Sequence, residues 1–188
     1  SVPILTGVSA GAINAAFLAG YQGPFRRGIA QLQGEWLRLT SDRVYHVPSL
    51  RIARWATRLV AQMALGRMRG LGPVRGVLDM RPLSRFLASI IDFGGIDANV
   101  ESGRLKAVAL TATSYTTGLT VTFVQGRPDI PLWERSLRVG VRARLTLSHV
   151  MASSAIPLIF PAVKLGGAFY GDGSVRQTAP LAPAIHLG

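Results

Sequence analysis

The 188-residue sequence has no cysteine, two lysines (Lys106 and Lys164), three histidines and nine acidic residues against 21 basic ones. Each scarcity excludes something. Without cysteine there is no disulfide, no thiolate metal ligand and no thiol nucleophile, so any covalent catalysis must use a hydroxyl. Apolar residues make up 48% of the chain, yet no run reaches the roughly 18 uninterrupted apolar residues of a membrane-spanning helix. The opening Ser-Val-Pro-Ile-Leu-Thr-Gly has no charged segment leading into an apolar one, so no secretory signal is read from it and the compartment stays open. The arginines that dominate the net charge of +12 are scattered rather than blocked. A basic solvated surface is the default reading of most of them, and no zinc-finger, RNA-recognition or basic-zipper pattern supports nucleic-acid binding. Acidic substrates and anionic membranes remain compatible with the charge.

What is present is enough apolar material for one core, with no repeat, low-complexity tract or interdomain linker, and residues 1–188 read as a single domain. Val2–Leu5 reads as the end of a buried strand, with Thr6-Gly7 as a break and a helix from about Ala10 to Ala19. Further helices are expected over Arg27–Leu39, Arg51–Met68 and, with Pro82 in its first turn, up to Ile91. Leu105–Thr113 and Leu119–Gln125 read as two strands around a Thr-Thr-Gly break, and Val139–Ala155 as mostly helical. Gly166-Gly167 marks a hairpin within Ala162–Tyr170, and residues 184–188 read as entry into another strand. Strands alternating with helices indicate an α/β domain.

Two stretches carry chemistry. Gly7-Val8-Ser9-Ala10-Gly11 fits G-x-S-x-G, in which a serine sits on a sharp strand-to-helix turn and the flanking glycines, Gly7 and Gly11, remove side chains that would collide. The same letters also fit an ordinary small-residue helix packed on a strand. A serine nucleophile needs a base. His46, His149 and His186 each read more simply as satisfied polar residues, whereas Asp172 lies between Gly171 and Gly173 directly after the hairpin. An Asp-Gly turn is the plainer reading there.

Taken together, these segments resemble the patatin-like phospholipases and lipid acyl hydrolases. The resemblance rests on the elbow with Ala12-Ile13-Asn14-Ala15-Ala16 behind it, Thr111-Ala112-Thr113 with Thr117-Gly118, Met151-Ala152-Ser153-Ser154-Ala155-Ile156-Pro157 with Phe160-Pro161, Gly166-Gly167, Asp172-Gly173 and Thr178-Ala179-Pro180-Leu181. It implies a three-layer α/β/α fold with a central, mainly parallel sheet, and a Ser9–Asp172 dyad hydrolysing lipid esters, glycerophospholipids first among them, through an acyl-enzyme. It implies no cofactor and no metal. Ser174 departs from the family's small residue after Asp-Gly by adding a hydroxyl. The family's glycine-rich oxyanion loop and first strand should precede the elbow, but the chain starts eight residues before Ser9, so a domain lacking that segment, and cut short at its far end too, is expected. Two alternatives stay open: a Ser9–Asp172–His186 triad esterase, whose chain order fits α/β-hydrolases, and a non-catalytic lipid-binding protein of the same fold. Arg51, Arg54 and Arg58 on one face of the Arg51–Met68 helix, with Trp55 at its edge, suggest peripheral contact with anionic lipid, a core-packing helix being the alternative.

Overall fold

The computed structural model describes residues 4–40, 78–175 and 182–187. His46, the Arg51–Met68 segment and residues 178–181 lie outside them. Among the described residues, seven strands form one sheet: β1 (Ile4–Val8), β2 (Ala107–Ser114), β3 (Thr120–Gly126), β4 (Glu134–Arg135), β5 (Arg138–Arg142), β6 (Val163–Leu165) and β7 (Ala168–Asp172). The helices are α1 (Ala10–Gly20), α2 (Phe25–Leu37), α3 (Arg81–Ile90), α4 (Phe93–Glu101), α5 (Leu147–Ser153) and α6 (Ala182–Leu187), with a 3₁₀ turn at Gly173–Val175.

β2 is the centre of the sheet. All eight of its residues are buried, which explains why Ala-Val-Ala-Leu-Thr-Ala-Thr-Ser shows continuous apolar and small character instead of alternation: both faces are covered. Val108, Leu110 and Ala112 join Val121 and Phe123 in a large core with Ala12, Ile13, Ala16 and Phe17 of α1, Leu83 and Leu87 of α3, and Val150 of α5. Ala107, Ala109 and Val124 face the other way, onto Ile130 and Leu187 of α6. Helices therefore flank both faces, as the α/β/α expectation has it. The sheet itself is mixed rather than mainly parallel: β1–β2 and β3–β5 are parallel, while the β2–β3, β2–β7, β4–β5 and β6–β7 pairings are antiparallel. Short turns force three of the four: β2–β3, β4–β5 and β6–β7 are each joined within a few residues and must run antiparallel, with Gly118 (φ 73°) and Gly166 (φ 55°) in the left-handed region in the first and last of these connections, whereas β7 returns to β2 over a long connection.

Three local expectations need correction, and one helix is not among the expected elements. The first strand does not break at Thr6-Gly7 but runs on to Val8, because the chain turns only at Ser9. Val139–Ala155 is mostly not helical. Its first part is β5, which pairs with β3 from Arg138 to Arg142, and the helix is confined to Leu147–Ser153. Residues 182–187 form α6 rather than a strand. Phe93–Glu101, with Gly94 and Gly95 in its first turn, is a helix that its glycines conceal. Asp92 caps it by accepting from the Gly95 N–H at 3.0 Å, and a side chain on Gly95 would strike the Gly20 carbonyl. Asn99 then donates to the carbonyls of Ala19 (2.7 Å) and Tyr21 (3.0 Å), satisfying acceptors that the end of α1 leaves open.

Candidate active site

Two strands share one edge of β2. β3 holds the opposite edge along most of its length, so β1 and β7 lie end to end: β1 runs parallel to β2 with Val8 opposite Thr111, and β7 runs antiparallel with Asp172 opposite Ala112. Their C-terminal ends therefore meet at neighbouring register positions. The next residue of β1 is Ser9, and the last residue of β7 is Asp172. The pairing register brings close two residues 163 positions apart, and Ser9 Oγ donates to Asp172 Oδ2 at 2.6 Å.

Ser9 has φ 55° and ψ −127°, a backbone conformation that costs a residue with a side chain about 1–3 kcal/mol. It is also the N-cap of α1, yet its side chain makes no capping hydrogen bond. An ordinary N-cap serine accepts from a first-turn N–H; this hydroxyl is turned away from the helix and toward the carboxylate. The backbone N–H groups of Ala10 and Gly11, the first two of α1, stand beside it as donors that the helix itself does not satisfy, while the Ala12 N–H donates to the Ser9 carbonyl at 2.9 Å.

Asp172 is 1% exposed. Its Oδ2 accepts from Ser9, and its Oδ1 accepts from the Ser174 N–H (2.8 Å) and the Ser174 hydroxyl (2.7 Å). Ser174 thus supplies a donor where the resembling family has a side chain without one. On the far side of β7, the Tyr115 hydroxyl lies against Gly171, where a Cβ would collide with it. Burial first, and then the negative charge of Asp172, raise the Tyr115 phenol above its ordinary value.

The four expected glycines divide unevenly. A Cβ on Gly7 would run into the Gly11 carbonyl and the Ala12 nitrogen, and one on Gly173 into the Thr111 carbonyl and the Val8 side chain. Gly171 is required by Tyr115. Gly11, by contrast, has nothing within 4 Å of where its Cβ would be, so the expectation that both elbow glycines relieve a collision holds for Gly7 alone.

His186 is on α6, stacked on Trp133 with ring centroids 4.9 Å apart. It lines a cleft of about 420 Å³ with Thr120, Thr122, Arg135 and Arg138. The direct Ser9–Asp172 bond leaves no place for an imidazole between them, so the geometry does not assemble the triad alternative. His149 is on α5, where its Nδ1 accepts from the Thr146 N–H at 3.1 Å. Among the described residues, no three His, Asp or Glu side chains gather as metal ligands would.

Sequence reading missed the end of α5. Ser153 is fully buried, accepts from the Ser9 N–H (3.1 Å) and donates to the Thr111 carbonyl (2.6 Å). Ser154 donates to the Ser9 carbonyl (3.1 Å), and Ala155 accepts from the Asp172 N–H (2.8 Å). Nothing in the letters Ser-Ser-Ala indicates such contacts, and the two to Ser9 join residues more than 140 positions apart.

No curated protein matches the chain. Residues 1–185 do match the family model described as patatin-like phospholipase. That match spans both the strained serine turn and the aspartate strand. The chain belongs to the patatin-like phospholipase family, hydrolases acting on ester bonds.

Proposed function

We propose that this protein is a serine lipid acyl hydrolase, cleaving carboxylic esters of glycerophospholipid type through Ser9 and Asp172 by way of an acyl-enzyme. The observation that carries the reading is the 2.6 Å hydrogen bond from a strained, uncapped serine hydroxyl to a buried carboxylate. A hydroxyl is a weak nucleophile until a base within hydrogen-bond reach takes its proton. As Ser9 Oγ attacks the ester carbonyl, its proton passes to Asp172 Oδ2. The Ser174 N–H and hydroxyl hold Oδ1, so the carboxylate is fixed with Oδ2 facing the serine. Negative charge on the carbonyl oxygen is met by the N-terminal N–H groups of α1, the Ala10 N–H foremost. Collapse of the tetrahedral intermediate breaks the ester C–O bond, and Asp172 returns the proton to the departing alcohol or lysolipid. Water then adds to the acyl-serine, giving its proton to Asp172. The acid is released as the proton goes back to Ser9 Oγ.

Peripheral contact with anionic membrane belongs to the same reading. It is supported by the net charge of +12 and by exposed Ile156, Leu158 and Ile159 directly after the α5 end that touches Ser9. No helix among the described residues is long and apolar enough to cross a membrane.

A panel of acyl esters tests the chemistry, with a fluorophosphonate probe for the serine. Ser9→Ala should abolish both turnover and labelling, and Asp172→Asn should lower turnover by at least about 10²-fold, the usual scale for a positioned base. His186→Ala should keep turnover. Unchanged labelling of Ser9→Ala, or full activity in Asp172→Asn, would refute the dyad.

A further inference from the structure

We infer that the C-terminal end of α5, Ser153-Ser154-Ala155, is a bracket that sets the spacing of Ser9 and Asp172, with Ser153 and Ser154 as positioning residues. This rests on the dyad reading above. The argument starts from the sheet. Up to Val8, β1 follows the ladder of β2, and at Ser9 the chain swings away, so the Ser9 N–H leaves the ladder. The Ser153 hydroxyl fills the gap, accepting from the Ser9 N–H at 3.1 Å and donating its own hydrogen bond to the Thr111 carbonyl at 2.6 Å. One side chain thus rejoins a departing strand to the strand it has left.

The other end of the same residue is held as well. The Ser9 carbonyl accepts from the Ala12 N–H (2.9 Å), starting the helix, and from the Ser154 hydroxyl (3.1 Å). Ser9 is therefore fixed at its N–H and its C=O by adjacent serines, while its unfavourable φ of 55° would otherwise relax. The third residue completes the bracket: the Ala155 carbonyl takes the Asp172 N–H at 2.8 Å. Three consecutive residues grip both members of the pair, and no backbone hydrogen bond runs directly between Ser9 and Asp172. Burial gives the grip its stiffness. Ser153 is 0% and Ser154 7% exposed, so competing water is kept from the Ser153 side chain.

The role is positional, since neither hydroxyl contacts Asp172's carboxylate or the Ser9 hydroxyl. Its signature is a loss in the chemical step without a loss in substrate binding. The full chain and its Ser153→Ala and Ser154→Ala variants are compared for kcat and KM on a monomeric acyl ester, rate of fluorophosphonate capture and folded fraction by circular dichroism. A displacement of the order of an ångström costs about 10²-fold in rate. Ser153→Ala should therefore lower kcat and the capture rate together by about 10- to 10²-fold, and Ser154→Ala by less, with KM within about twofold. Ser154→Thr, which keeps the hydroxyl, should recover most of the Ser154→Ala loss. Wild-type kcat and capture rate in both alanine variants would overturn the bracket. So would a loss of activity matched by an equal loss of folded, labelled protein at an unchanged capture rate, since that marks support of the fold alone. Turnover surviving in Ser9→Ala would instead refute the dyad reading beneath it.

Discussion

At the scale of single residues, the same amino acid in one five-residue motif carries opposite demands. Gly7 lies where the backbone of α1 folds back on β1, and any Cβ would meet main chain that cannot yield. Gly11 is helical, lacks a left-handed φ and faces open space. Gly7→Ala should therefore lower the thermal midpoint sharply, overpacking of this kind costing about 1–3 kcal/mol or more, and should lose ester turnover with it. Gly11→Ala should leave the midpoint unchanged or raise it, by up to about 1 kcal/mol through the reduced entropy of the unfolded chain. Equal losses in the two variants, read by thermal unfolding, would contradict this division. Ser9, Gly7 and Asp172 are legible in the sequence because Ser9 holds a sharp turn, while Gly7 and the glycines beside Asp172 stand where a neighbour comes too close for a Cβ. Ser153 and Ser154 are not, since a serine whose hydroxyl holds distant backbone is written like any small polar residue on a helix.

At the scale of elements, legibility follows how local the cause is. The β2–β3 and β6–β7 pairs are read from their glycine turns and the runs of Val, Thr and Leu beside them, because a hairpin's contacts are near in sequence. β5 was concealed: it pairs in parallel with β3, and its membership depends on a strand that begins 18 residues earlier, at Thr120. α4 is hidden by Gly94 and Gly95, of which Gly95 lacks a side chain where the end of α1 packs against it.

Helix α5 carries a property that can be tested on its own. His149 occupies the third position of a capping box with Thr146, its Nδ1 accepting the Thr146 N–H, and its ring stands edge-on to Phe123 at 4.7 Å. Burial lowers its pKa below the ordinary 6.5. The unfolded chain then binds the proton first as pH falls. Stability fully present above about pH 6.5 is lost as pH drops through the window toward the folded-state value. His149→Gln keeps a capping side chain but removes that titration. Urea midpoints measured on either side of about pH 6.5 should fall further on acidification for the wild type than for the variant. Parallel falls would assign the acid loss to other groups.

At the scale of the whole molecule, charge and shape bear on where the site works. Ile156, Leu158 and Ile159 are 41%, 64% and 42% exposed, in the loop immediately after the bracket. Leu158 is also held at φ 66°. Isolated exposed apolar side chains are ordinary, but here three fall within four positions on the approach to the proposed nucleophile, on a chain of net charge +12. In the proposed membrane contact, loop and charge would act by different means: apolar side chains would enter the acyl boundary, while basic residues near the surface would gain about 1 kcal/mol each from anionic headgroups. Burial of a leucine side chain contributes about 1.5–3 kcal/mol. Leu158→Asp should accordingly reduce partitioning to anionic vesicles by at least about tenfold, and lower turnover on vesicles more than on a monomeric ester. The wild type should bind anionic vesicles more strongly than zwitterionic ones, with the difference shrinking as salt rises. Binding indifferent to lipid charge would remove the electrostatic half of the argument. Wild-type partitioning of Leu158→Asp would place the contact elsewhere on the surface.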